Sequence, residues 1–299
     1  MRPSHRPRTV GLEGPARGTR VDGTARRERI PDIEIIAHRG YSARAPENTL
    51  AAIRAALDAG ADSVEFDLHV AADGTPVLIH DANLGRTTNG VGPVRRRTVG
   101  QLRGLDAGAW FSPAFVGERI PTLAEALETV RGRVKRAYPD VKGYRELEDL
   151  DRIVEITRDL GMLEQTTFLS LDWRIVERIH GRDESVTVGY VVDAIERYPE
   201  ALDRAIVRGR AILDLDVEIV LAAPHLVAEC HREGIPTAVW TVNDEASAER
   251  MRNAGIRRLT TDEVEAIRDW RSRLEPSDQS PGVATPSSPS GTGEAGIST

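Results

Sequence analysis

The chain has 299 residues, 40% of them hydrophobic, and a formal net charge of −7. This length and composition predict a globular protein with a sizeable core and argue against a wholly disordered chain. The single cysteine, Cys230, excludes an intramolecular disulfide. Every apolar run is shorter than the roughly 18 residues that span a bilayer, and the first thirty residues lack the apolar segment of a signal peptide. We therefore expect a cytoplasmic protein with no transmembrane segment.

The two ends of the chain differ in composition from its middle. Residues 1–30 contain eight arginines against three acidic residues, with many glycines and prolines and no aromatic residue. A basic arm can bind nucleic acid, but this composition favours a disordered tail and no nucleic-acid partner. Residues 276–299 are mostly Pro, Ser, Gly and Thr, which predicts a second disordered tail. The folded domain is therefore expected at 31–275.

Between the tails, short β-branched runs alternate with helical patterns. Eight strands are predicted, at residues 33–37, 63–70, 137–142, 167–171, 187–192, 211–215, 238–242 and 258–261. The first helix is indicated by "TLAAIRAALDAG", with Asn48 as its N-cap and Gly60 at the C′ position. Eight strands with crossover helices predict a TIM (β/α)8 barrel, whose chemistry lies at the C-terminal ends of the strands. An open doubly wound sheet is the alternative, but no glycine-rich turn follows the first strand.

The segment "HVAADGTPVLIHD", at 69–81, interrupts this alternation. Its Asp-Gly pair separates two strand-like runs with no room for a helix, which predicts a β-hairpin. With a two-residue turn, Asp67 should lie opposite His80, and Glu65 should share their face. This polar face is expected to look into the mouth of the barrel.

Charged groups collect at the predicted mouth. Glu65 and Asp67 lie roughly 6.6 Å apart along their strand, close enough to bind one cation, and oxygen ligands suit Ca2+ or Mg2+. Alternating charges on a solvated edge strand would be the plain structural explanation. However, His38 and Arg39 end the first strand at the same rim. With His80 they are typical of an acid/base pair around a phosphate.

Long, ordered motifs follow one another along the first half of the chain: "AHRG" at 37–40, "PENT" at 46–49, "GADSVEFDLHVAADGTPVLIHD" at 60–81, and "LGRTTNGVG" through "LDAGAWF" to "IPTLAEAL" at 84–127. Weaker, collinear motifs are "VWTVND" at 239–244 and "RRLTTDE" at 257–263. Together they resemble the glycerophosphodiester phosphodiesterases. The resemblance implies a metal-dependent TIM-barrel enzyme that cleaves small glycerophosphodiesters to glycerol 3-phosphate and an alcohol such as choline or ethanolamine.

The resemblance also implies roles for individual residues and a small insertion over the barrel mouth at about 83–119. The implied roles are His38 and His80 as general acid and base, Glu65 and Asp67 as metal ligands, Arg39 as a phosphate contact, and Glu47 as support from the "PENT" turn. Trp240, at a late strand end, is a candidate for lining the glycerol pocket, although packing inside the barrel would explain it equally well.

One motif departs from the family pattern. The family normally presents Glu-x-Lys on the strand after the insertion, whereas this chain reads "YPDVKG", which gives Asp140 and Lys142. We expect Asp140 to be the third metal ligand and Lys142 to neutralise the phosphate. Asp-x-Lys at this place also resembles the sphingomyelinase D-like phospholipases, which form a cyclic phosphate and remain an alternative. A barrel that binds a metal or a phosphodiester without turnover is a second alternative.

Overall fold

The computed structural model describes residues 33–274, so both predicted tails lie outside the described residues. The strands in this part of the chain are β1 (Glu34–Ala37), β2 (Ser63–Val70), β3 (Pro76–Leu78), β4 (Arg136–Val141), β5 (Thr167–Ser170), β6 (Thr187–Val192), β7 (Ala211–Asp216), β8 (Thr237–Trp240) and β9 (Arg258–Thr261). The α-helices there are α1 (Leu50–Asp58), α2 (Val99–Leu102), α3 (Leu123–Val130), α4 (Leu147–Asp159), α5 (Trp173–Arg182), α6 (Tyr198–Arg208), α7 (Val217–Ala222), α8 (His225–Arg232), α9 (Glu245–Ala254) and α10 (Val264–Leu274). None of these helices is both long and apolar enough to cross a membrane.

The parallel strands close into a barrel. Their order is β1-β9-β8-β7-β6-β5-β4-β2, and the pairing of β1 with β2 completes the circle. Helices connect successive strands, so the predicted TIM barrel is confirmed. Each of the eight predicted strands is present with its bounds correct to within two residues. The ninth strand, β3, is the second arm of the predicted hairpin and pairs antiparallel to β2.

The core has three parts. The largest lies between the strands and the surrounding helices, where both kinds of element bury their apolar faces. A small cluster fills the barrel interior, and it consists of Ile36, Tyr138, Leu169, Val191, Ile212 and Ala238. The third cluster joins the hairpin to residues of the 83–119 segment, including Val94, Leu102 and Ala107. That segment therefore has apolar packing of its own against the hairpin, beside the barrel.

The hairpin register differs from the prediction by one residue. The connection spans three residues, because Gly74 adopts a φ of +81° and takes the left-handed position that ends such a loop. The backbone amide of Ile79 consequently donates to the carbonyl of Asp67 at 3.1 Å. Asp67 thus lies opposite Ile79, and His80 lies one residue beyond the predicted pair. The expectation that Asp67 and His80 are cross-strand partners was wrong.

The start of α1 is a second correction. Thr49 is the N-cap, and its hydroxyl accepts a hydrogen bond from the amide of Ala52 at 3.2 Å. Asn48, the predicted cap, instead has a φ of +58°, which turns its side chain away from the helix. Gly60 follows the helix with a φ of +82° and occupies the predicted C′ position.

Candidate active site

Three buried carboxylates meet at the C-terminal end of the barrel. Glu65 and Asp67 lie on β2, and the parallel register places Asp140 of β4 directly beside Asp67. One oxygen from each carboxylate lies within 4.8 Å of the others. All three side chains are buried, although unpaired carboxylates resist burial. We call these residues the acidic cluster.

Proton affinities in the acidic cluster reflect this crowding. Burial, together with the charges of Asp67 and Asp140, raises the pKa of Glu65 well above its ordinary value. Burial also raises the pKa of Asp140, despite the ammonium of Lys142 beside it. Burial alone would raise the pKa of Asp67, but Lys142 and Arg39 hold it below its usual value. A cation that binds next to these carboxylates therefore stabilises their ionised forms.

The acidic cluster fits a hard divalent cation. Lys142 Nζ lies 2.5 Å from Asp140 Oδ2 and 3.2 Å from Asp67 Oδ1, so one cation already bridges part of the cluster. The other oxygen of Asp140 is buried and has no hydrogen-bond partner within residues 33–274. Oxygen atoms are the ligands that Ca2+ and Mg2+ prefer, and an unpaired buried carboxylate oxygen is available for one.

Arg39 joins the end of β1 to the acidic cluster. Its backbone amide donates to Glu65 at 2.8 Å, and its guanidinium donates to Glu47 at 2.9 Å and lies 3.2 Å from Asp67. The chain turns sharply here, with φ values of +57° at Arg39 and +78° at the next residue, Gly40. A Cβ at Gly40 would lie only 2.5 Å from the backbone of α1, so only glycine allows this close approach.

His38 lies at the same rim and is held by a carboxylate. Its Nδ1 is 2.7 Å from Asp262, which also accepts hydrogen bonds from Ser42 and Asn243. Burial alone would raise the pKa of Asp262, but these hydrogen bonds and the charge of His38 hold it far below its usual value. An ionised carboxylate can only accept, so Nδ1 carries a proton and Nε2 remains for chemistry.

His80 has the same arrangement. Its Nδ1 is 2.7 Å from Asp81, and Arg86 donates to the same carboxylate. The hydrogen bonds from Arg86 and His80 hold the pKa of Asp81 far below its usual value, so this carboxylate also acts as an acceptor. The preceding residue, Ile79, donates its amide hydrogen bond to the carbonyl of Asp67, so His80 lies close to the acidic cluster even though the hairpin register differs from the prediction.

Besides the histidine partners Asp262 and Asp81, sequence reasoning missed the supporting roles of Arg86 and Asn48. Arg86 donates to both oxygens of Glu47 at 2.8 Å and also to Asp81. It therefore links Glu47, which holds the guanidinium of Arg39, to Asp81, which holds the ring of His80. Its place in the "LGRTTNG" motif was the available signal. Asn48 donates to the Asp67 carboxylate at 2.7 Å and accepts from its backbone amide at 2.9 Å.

The last predicted residue, Trp240, lies at the end of β8 and packs against the cluster inside the barrel. Its indole nitrogen donates to the backbone carbonyl of Asp214 at 3.3 Å. Asp214 itself has a side chain that is buried in the barrel. Burial and the charge of Asp140 raise its pKa to about 8. No motif around Asp214 signalled this position.

The barrel thus combines buried carboxylates, two oriented histidines and two cations at the end where TIM barrels do their chemistry, a combination that suits metal-assisted phosphoryl transfer. A sequence profile of the Glycerophosphoryl diester phosphodiesterase family matches residues 38–266. A glycerophosphodiester phosphodiesterase from Caldanaerobacter subterraneus subsp. tengcongensis is 31% identical over 239 residues, which cover 78% of this chain and 95% of that protein.

Solved structures agree with this match. A phosphodiesterase from Oleispira antarctica, in complex with the product sn-glycerol-3-phosphate, has a TM-score of 0.74 and 29% identity, covering 80% of this chain and 96% of its own. A glycerophosphodiester phosphodiesterase from Agrobacterium tumefaciens has a TM-score of 0.70 and 28% identity, covering 80% and 99%. The chain therefore belongs to the glycerophosphoryl diester phosphodiesterase family and is a phosphoric diester hydrolase. This assignment argues against the non-catalytic barrel and favours glycerophosphodiesters over sphingomyelin as the substrate class.

Proposed function

We propose that the enzyme hydrolyses small glycerophosphodiesters to glycerol 3-phosphate and an alcohol, with a divalent cation held by Glu65, Asp67 and Asp140. His38 and His80 are the proton-transfer pair in this proposal. The observation that carries it is the matched arrangement of the two histidines. Each has its Nδ1 held by a carboxylate at 2.7 Å, at the same barrel rim as the acidic cluster.

Hydrolysis forms one P–O bond and breaks another, so two protons must move. One histidine accepts the proton of the attacking water through Nε2, while the other donates a proton to the departing alcohol oxygen. The carboxylates of Asp262 and Asp81 stabilise whichever imidazole becomes positively charged and keep each ring oriented. The first histidine ends the step protonated and the second ends it neutral, and the products are an alcohol and a phosphate monoester.

Negative charge on the phosphoryl oxygens increases as phosphorus becomes five-coordinate. Arg39 and Lys142 supply fixed positive charge beside the acidic cluster, held there by the contacts with Glu47 and Asp67 and with Asp140. Such preorganised cations stabilise the transition state more than the ground state. A divalent cation, when bound, polarises a non-bridging phosphoryl oxygen.

Calcium is the cation that we favour. Ca2+ accepts several carboxylates in irregular geometries, whereas Mg2+ usually retains waters and binds through one or two carboxylates. The site offers three carboxylates from two neighbouring strands. At position 140 an aspartate stands where the family usually has the longer glutamate, and such a site suits Ca2+, the larger and more tolerant ion. In this proposal Trp240 lines the glycerol end of the pocket.

A coupled assay for glycerol 3-phosphate tests the proposed function. The purified enzyme is treated with EDTA and assayed on several glycerophosphodiesters, with Ca2+ or Mg2+ restored in separate reactions. We expect release of glycerol 3-phosphate that disappears with EDTA and returns best with Ca2+. His38→Ala and His80→Ala should each lower the rate by about a hundredfold or more, while the exposed His225→Ala serves as the matched control. Formation of a cyclic phosphate from sphingomyelin, with no glycerol 3-phosphate from any diester, would contradict the proposal.

A further inference from the structure

A cleft of about 400 Å³ opens beside the acidic cluster. It lies between the 83–119 segment and the ends of β2 and β4, and its polar lining comes from His69, Asn83, Arg95, Lys142 and Tyr144. Because Lys142 contacts both the cleft and the acidic cluster, a phosphodiester bound at the cluster would extend one of its arms into this space. The residues that line the cleft therefore determine which alcohol groups of a substrate can bind in it.

The lining contains positive charge without a compensating carboxylate. No aspartate or glutamate is among the described residues that line the cleft. Lys142 is paired with Asp140 and Asp67, so its charge is already matched. Arg95 is exposed and has neither an ion pair nor a side-chain hydrogen bond to any residue within 33–274. Its guanidinium is therefore the free cation of the cleft.

The other polar groups of the lining do not cancel this charge. His69 carries no negative charge, because an imidazole ring is either neutral or positively charged. Its Nε2 lies 3.1 Å from the carbonyl of His80, and since a carbonyl only accepts, that nitrogen carries the ring proton. Nδ1 is then an acceptor, packed close to Gly143, where an added Cβ would lie 3.1 Å away.

The cleft offers few groups that would stabilise a cationic head group. Quaternary ammonium groups are usually recognised by several aromatic rings or by a carboxylate. Tyr144 is the only aromatic residue in the lining that the structure describes. The aromatic residues of the neighbouring segment pack on one another instead, with Phe111 lying 5.7 Å from Trp110 and 5.6 Å from Phe115 between ring centres. Choline would therefore meet an unpaired guanidinium and no aromatic cage.

We propose that this cleft receives the leaving alcohol and that Arg95 selects alcohols carrying an additional anionic group, such as a phosphate. The inference rests on the proposed function, since it concerns the part of the substrate that departs. A guanidinium binds phosphate or carboxylate oxygens through paired hydrogen bonds. Because Arg95 is exposed and already free of partners, binding an anion does not require it to break an existing ion pair.

The test uses two substrates that differ by one charged group, glycerophosphoinositol and glycerophosphoinositol 4-phosphate. Release of glycerol 3-phosphate gives kcat/KM for each, and their ratio reports the preference for the added phosphate. We expect the wild-type ratio to favour the 4-phosphate, and glycerophosphocholine to be poorer than either. Arg95→Gln should lower the ratio about tenfold, the size expected for one charge-assisted hydrogen-bond pair. Arg95→Lys should retain part of it.

Arg96→Gln is the matched control, because Arg96 is the adjacent exposed arginine and does not line the cleft. Its ratio should equal that of the wild type. An unchanged ratio in Arg95→Gln would overturn the proposal. An equal loss on both substrates would also overturn it, since Arg95 would then contact the part that the substrates share. If no diester is cleaved at all, the proposed function fails together with the inference, whereas turnover without charge preference removes the inference alone.

Discussion

The carboxylates at the two ends of the barrel are stabilised to different extents. At the N-terminal end, Glu34 accepts hydrogen bonds from Ser63 at 2.6 Å and Tyr138 at 3.0 Å, and Arg258 donates to its other oxygen at 3.2 Å. Both of its oxygens are therefore satisfied by donors on neighbouring strands. At the C-terminal end, three carboxylates share few donors, and one oxygen of Asp140 has none among the described residues.

This difference separates a structural carboxylate from functional ones. A half-buried carboxylate whose two oxygens are both hydrogen-bonded, such as Glu34, stabilises the fold, whereas crowded buried carboxylates destabilise it unless a further cation binds. Proteins retain such destabilising groups where activity depends on them. Substitutions at the two ends should accordingly have opposite consequences for activity and stability.

The largest effect is expected for Glu65→Gln. The change keeps the size of the side chain but removes one charge from the acidic cluster, so kcat/KM should fall about a thousandfold, equivalent to several kcal/mol of metal-assisted stabilisation. In EDTA, the melting temperature of the variant should equal or exceed that of the wild type, because repulsion is relieved. A variant that loses both activity and stability in EDTA would make Glu65 a structural residue.

His80→Ala should lower kcat by about a hundredfold or more, the usual contribution of a general acid or base. Its affinity for Ca2+, measured by calorimetry, should remain close to that of the wild type, because the imidazole is assigned to proton transfer. If calcium affinity falls in parallel with activity, His80 is a metal ligand and the assignment is wrong.

Asp262→Asn tests the support behind His38. Loss of the negative charge should reduce kcat by about tenfold to a hundredfold, as for other residues that orient a reacting group. The pKa of Asp262 is lower in the folded protein than its unfolded value of about 3.9. Its ionised form therefore contributes stability above that pH, and the contribution is lost as the pH falls towards the folded pKa.

When followed by thermal unfolding between pH 6 and pH 3, the stability difference between wild type and Asp262→Asn should thus hold down to about pH 5 and shrink as the pH falls through about 4. Val207→Ala, at a site that is 86% exposed, provides a control for general acid effects. A difference that stays constant over this range would show that Asp262 has no depressed pKa.

Glu34→Gln is the counterpart at the N-terminal end. Weakening the hydrogen bonds from Tyr138 and Arg258 should cost about 1–2 kcal/mol, which lowers the melting temperature by roughly 2–4 °C per kcal/mol for a domain of this size. The kcat of the folded variant should match the wild type. A large loss of kcat without loss of stability would reverse the distinction between the two ends.

The smallest effect is expected for the ends of the chain. We propose that residues 1–30 and 276–299 contribute nothing to the barrel, because their composition offers little apolar surface to bury. Removing both should leave the melting temperature and the turnover of glycerophosphodiesters unchanged. A marked drop in either would indicate that one of the ends packs on the barrel.

The sequence predicted the barrel and the acidic cluster because both depend on local patterns. Strand periodicity located β2, and the carboxylates of Glu65 and Asp67 stand one residue apart on it. The hairpin register was missed because the Asp-Gly pair permits both two-residue and three-residue connections, and only packing selects one. Asp262 was missed because it meets His38 across 224 residues of chain, a contact that no local pattern reveals.

Residues inside the barrel were equally hard to predict. The buried position of Asp214 follows from the closing of the barrel, which directs alternate residues of β7 inward. A lone aspartate in a strand-like run looks the same in the sequence whether it faces the interior or solvent. Asn48 was assigned to a helix cap for a similar reason, since its left-handed backbone and its contact with Asp67 depend on the folded turn.

Calcium binding to three proteins tests the account most directly: the wild type, Asp140→Asn and Glu34→Gln, each stripped with EDTA and titrated by calorimetry. The account predicts that the wild type and Glu34→Gln bind a single Ca2+ with equal affinity, while Asp140→Asn binds it much more weakly. Equal binding by all three proteins, or no binding by the wild type, would contradict the claim that the crowded carboxylates form a metal site.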